Sequence, residues 1–121
     1  MGETRTRLIL HAMPDLPPVV PQVPFVDAAG RVWARGDFGV GPHLVVEFDG
    51  RKKYRADDGT NAREAEEIVW AEKQREDRLR SRERRVVRRV VWADLDRPRQ
   101  VQAAVRDGLR EVESLYGAGA A

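Results

Sequence analysis

A chain of 121 residues has room for one domain and one modest core, and 41% hydrophobic with 35% charged residues describes a soluble globular fold rather than a fibrous or disordered one. The absence of cysteine excludes a disulfide scaffold, a thiolate nucleophile and a Cys-ligated zinc site, and no apolar run approaches the ~18 residues of a membrane span. A net charge of +2 is too small to argue for an acidic partner by itself; three of the 22 basic residues are lysine and the rest arginine, a bias that codon usage and phosphate recognition explain equally well.

The opening "GETRTRLILHAM" sets Leu8, Ile9 and Ala12 at helical spacing among Glu3, Arg5 and Arg7, which predicts an amphipathic helix over residues 2–13, stopped by Pro14. It has neither the long apolar region nor the cleavage site of a secretory leader, so a cytoplasmic protein is expected, and a helix starting at residue 2 also suits a short form of a longer chain. Residues 14–24, "PDLPPVVPQVP", hold most of the prolines, which rules out helix and central strand and predicts an extended connector or edge segment. Two short strands follow at 23–27 and 31–38 around an Ala-Ala-Gly turn; in the second, Val32, Ala34 and Gly36 alternate with Arg31, Trp33 and Arg35. After "GVGPH" a third strand at 44–49 completes an antiparallel meander.

No glycine or proline interrupts residues 61–84, which begin on an Asn cap and are rich in Glu, Arg, Ala and Lys, so a long helix is predicted. The β-branched run "VVRRVVW" at 86–92 is a fourth strand. Val101, Val105, Leu109, Val112 and Leu115 recur every three or four residues, giving an amphipathic C-terminal helix before a loose tail at 117–121. The fold class is α/β in the order α-β-β-β-α-β-α, with a mixed sheet of about four strands flanked by helices in a single domain over 1–121. Trp33, Trp70 and Trp92 are expected in its core.

The chemistry concentrates in "LVVEFDGRKKYR". Strand alternation sends Val46 and Phe48 to the core and Glu47 and Asp49 to the other face, and the hairpin brings Asp37, at the end of the preceding strand, beside them. Carboxylates this close repel unless a proton or cation intervenes, and a hard divalent ion is the usual answer. The plain alternative is a turn at Asp49-Gly50 with Glu47 paired to an arginine. On the long helix, the stripe of Ala65, Ile68 and Leu79 is interrupted by Glu72 and Glu76, which either serve the site or pair along the helix with Arg75 and Arg80.

"RGDFGVGPHLVVEFDGRKKY", with "AEKQREDRLR" and "VVRRVVWADL", resembles the PD-(D/E)xK restriction-endonuclease-like superfamily. Within it the chain is most similar to very-short-patch-repair-endonuclease-like bacterial domains, and to the C-terminal part of abortive-infection type IV antitoxin-like proteins. The resemblance implies a restriction-endonuclease-like core and metal-dependent hydrolysis of DNA phosphodiesters. Asp37 and Glu47 take the positions of the two motif acids; with Asp49, and Glu3 as a helical acid, they would hold Mg2+ or Mn2+. Asp49 stands where the motif usually has lysine, and Lys73 is the candidate for a lysine supplied from the following helix.

The basic run Arg51, Lys52, Lys53 and Arg55, with Arg82 and Arg85 at the end of the long helix, supplies candidate DNA contacts, because cations flanking an acidic centre can position a phosphate backbone. The same surface serves a second reading, a non-catalytic DNA-binding or interaction domain of a toxin–antitoxin system. His11 and His43 have no partner at metal-ligand spacing, and a turn histidine such as His43 is expected to be structural.

Overall fold

The computed structural model describes residues 1–50 and 62–121. Within them the chain forms α1 (Gly2–His11), β1 (Val19–Val26), β2 (Val32–Val40), β3 (Leu44–Phe48), α2 (Ala62–Ser81), β4 (Val86–Val90), α3 (Trp92–Leu95) and α4 (Pro98–Tyr116). The strands make one four-stranded sheet in the order β1-β2-β3-β4, antiparallel through β3, with β4 parallel to β3. A parallel neighbour cannot be reached by a hairpin, and α2 lies in the crossover that reaches it.

The mixed α/β sheet flanked by helices agrees with expectation, but the element order gains a helix and reads α-β-β-β-α-β-α-α. Asp94 accepts the Val91 N–H at 2.9 Å and so caps the short α3, while Pro98 starts α4 afresh at its first turn, where a proline belongs. β1 also begins at Val19 rather than at residue 23, taking in Pro21 and Pro24. An edge strand tolerates prolines because half of its backbone groups need no ladder partner, and β1 is an edge. The β1–β2 turn is fastened by Asp27, whose Oδ1 accepts the N–H groups of Ala29 and Arg31, both at 2.9 Å, with Gly30 at φ 80°.

The two faces of the sheet are covered unequally. Leu44 and Val46 of β3 and Val86 and Val90 of β4 join Leu10, Met13, Leu95, Val101, Val105 and Val112 in the larger cluster, under α1, α3 and α4. Val45 and Val87, pointing the opposite way, meet Phe25 and Leu79 in a smaller cluster under α2. α4 comes close through Gly108, where a Cβ would stand 2.8 Å from Leu44 Cδ1. Its stripe departs from expectation at the end, where Leu115 is exposed and Tyr116 packs instead. Two of the tryptophans expected in the core are not there: Trp70 lies on the outer side of α2, and Trp92, edge-on to Phe48 at 4.9 Å, is half exposed.

A candidate acid cleft closed by an arginine

β3 is buried over Leu44, Val45 and Val46, and its alternation carries Glu47 onto the α2 face with only 9% of its surface exposed. Asp37 lies within β2 rather than at its end, since Phe38, Gly39 and Val40 go on to pair with Val46, Val45 and Leu44. Beyond that pairing the Asp37 carboxylate replaces a ladder acceptor: Oδ2 takes the Phe48 N–H at 2.8 Å. On its other side, Gln22 sits between the register pairs Val23↔Gly36 and Pro21↔Phe38 with φ 53°, and its Nε2 donates to Glu3 Oε2 at 3.4 Å. Gly2 brings α1 against the Phe48 ring, which sets Glu3 near Asp37.

Asp37, Glu47 and Asp49 line one cleft of about 330 Å³, together with Arg35, Glu72, Arg75 and Arg89 among the described residues. Burial pushes the Asp37 carboxyl up to about 6; the Phe48 N–H opposes this, and the negative charges of Glu3 and Glu47 add to it. Asp37, Glu47 and Asp49 thus share one cleft, whereas Glu3 meets only Asp37, in a neighbouring groove with Arg7, Pro21 and Gln22.

The cation that meets them is an arginine, as in the plain alternative for Glu47, and α2 supplies it. Arg75 of α2 donates from Nη1 to Glu47 Oε1 and from Nη2 to Glu47 Oε2, both at 2.8 Å, and Nη2 also reaches the Arg35 carbonyl at 3.0 Å. Hydrogen bonding to Glu47 raises the Arg75 pKa against the opposing effect of burial, and Asp37 adds to the rise. Glu72 adds its charge to the rise and itself meets Arg89 of β4 at 3.3 Å, a pair made possible because Arg89 stands beside Glu47 in the β3–β4 register. Arg75 is one turn before the buried Leu79 and shares its face, which turns it toward the sheet.

Lys73 is exposed and lines a neighbouring groove with Asp49, Ile68, Val69, Glu72, Glu76 and Arg89, outside the cleft of Asp37 and Glu47. Among the described residues, no group of three or more His, Asp or Glu side chains is placed to hold a metal ion. The donor chemistry suits Mg2+ or Mn2+, but the arrangement does not fit one, because both oxygens of Glu47 are taken by a guanidinium.

The proposed DNA contacts Arg51, Lys52, Lys53 and Arg55 lie outside the described residues. Arg82 is exposed just past the end of α2. Arg85 is held differently from expectation: its guanidinium lies over the Phe25 ring at 5.3 Å, and burial lowers its pKa. Arg88 is engaged by Asp107 at 3.0 Å and Glu111 at 2.9 Å. His43 is structural, stacked on Tyr116 at 4.4 Å with Nδ1 2.9 Å from the Arg84 carbonyl. No known family model, curated protein or solved structure matches the chain. No helix among the described residues is long and apolar enough to cross a membrane.

Proposed function

We propose that this chain is a DNA-binding domain on a restriction-endonuclease-like scaffold whose acid cleft does not hydrolyse DNA. The observation that carries this reading is the two-pronged Arg75–Glu47 pair, which fills the position a catalytic ion would need. The scaffold reading is supported by the run α1-β1-β2-β3-α2-β4, an antiparallel meander followed by a helical crossover to a parallel strand, with acids on β2 and β3 where the resemblance expects them. DNA as the ligand is supported by Arg35 in the cleft, Arg82 beyond α2, and the four cations that follow Gly50 in sequence. A toxin–antitoxin setting rests on the resemblance alone.

A labelled duplex titrated by fluorescence anisotropy should bind with affinity that falls as salt rises, and Lys52→Ala/Lys53→Ala should lower the salt slope by roughly two, one per phosphate contact removed. Salt-independent binding, or none, defeats the proposal. Supercoiled plasmid with Mg2+ or Mn2+ should stay intact. A second reading, Mg2+- or Mn2+-dependent endonuclease activity, is favoured by the convergence of Asp37, Glu47 and Asp49 in one cleft. Nicking by the wild type that Glu47→Gln abolishes would establish it instead.

A further inference from the structure

The acids of the cleft need a cation, and the fold already supplies one. The Arg75 guanidinium is fixed from two directions, by both oxygens of Glu47 on β3 and by the Arg35 carbonyl on β2. Its backbone is fixed as well, because Leu79, one turn further along α2, is fully buried against Val45, Val87 and Phe25. A guanidinium stays charged across the accessible pH range, and its planar fork matches a carboxylate in a way that a lysine ammonium cannot. A divalent ion drawing on Glu47 would have to displace this fork or share a carboxylate with it, and at these separations two cations repel strongly in a partly desolvated site.

We infer that Arg75 is a built-in cation that holds the place of a divalent ion in the acid cleft, so that the cleft excludes Mg2+ and Mn2+ as long as the Arg75 fork is in place. The inference deepens the non-hydrolysing reading and rests on the same pair. It assigns Arg75 a positioning role: Glu47 is aimed and neutralised by a side chain instead of by an ion.

The test is Mn2+ binding to the full chain without DNA, followed by electron paramagnetic resonance of the free ion. The wild type should show no stoichiometric site. Arg75→Met, which keeps the side chain's bulk and removes its charge, should gain one site about ten-fold or more tighter than any wild-type binding, and Arg75→Met/Glu47→Gln should lose it again. Stoichiometric Mn2+ binding by the wild type overturns the inference, and that arm needs no variant to fold. A folded Arg75→Met chain that gains nothing overturns it too. Since no DNA is present, failure here leaves the duplex titration standing, and failure of the duplex titration leaves the Mn2+ result standing.

Discussion

Asp37 is the carboxyl whose proton the fold holds more tightly than usual. Its carboxyl accepts one backbone N–H, yet burial and the nearby Glu3 and Glu47 raise its pKa to about 6 in the fold, above the ordinary carboxylate range of the unfolded chain. A raised folded-state pKa means that the native state holds the proton more tightly. The stabilisation is fully present below about pH 4 and is lost as pH rises through about 6. The shift corresponds at most to about 3 kcal/mol, and solvent access to the cleft reduces this to about 1–2 kcal/mol. Asp37→Asn keeps an oxygen for the Phe48 N–H and removes the charge, so it should raise stability at about pH 7.5 by that amount and change it little at about pH 4. Chemical denaturation at the two pH values checks this, and an equal effect at both would contradict it.

At the scale of elements, α4 comes close to β3 through Gly108. A methyl group there would press on Leu44, which is fully buried and has no slack. Gly108→Ala gains up to about 1 kcal/mol of helix propensity but forces a repacking that costs about 1–3 kcal/mol. The variant should therefore be less stable in urea unfolding, and Gly108→Val more clearly so; a stabilised Gly108→Ala would show that α4 can step away from the sheet. The elements themselves were legible in the sequence wherever one local signal dominated: the uninterrupted run of α2, the β-branched residues of β3 and β4, the two-residue alternation of β2. β1 was foreseen at 23–27, with residues 14–24 as a connector or edge segment, and its earlier start at Val19 shows the edge alternative, where prolines are harmless. The acids were legible too, since their convergence needs only strand alternation and one hairpin. Arg75 was not, because its partner is chosen by the crossover that lays α2 over β3, and spacing along one helix cannot report a contact between elements 28 residues apart. Lys73, two residues away, lines an adjoining groove that shares Asp49, Glu72 and Arg89 with the cleft.

Over the whole molecule, the cations counted in the sequence overstate the free positive surface. Arg75, Arg88 and Arg89 are matched to carboxylates, and Arg78 and Arg85 lie over aromatic rings. On the proposed DNA-binding reading these arginines would not add to the salt slope, which then reports only the exposed cations. Protection is uneven as well. β3 is central and covered on both faces, whereas β1 is a proline-bearing edge. In native-state hydrogen exchange the amides of Val45 and Val46 should exchange only by global unfolding, and those of Val20 and Val26 orders of magnitude sooner. Similar rates along both strands would mean that the sheet opens as one unit.

The unequal coverage of the sheet has an evolutionary consequence. The face under α1, α3 and α4 carries most of the apolar contact, while the face under α2 carries the ionic chemistry on a small hydrophobic base. Substitutions at the head of Glu47 or Arg75 thus fall outside the larger hydrophobic cluster, and the pair is free to change together, since losing one partner alone strands a buried charge.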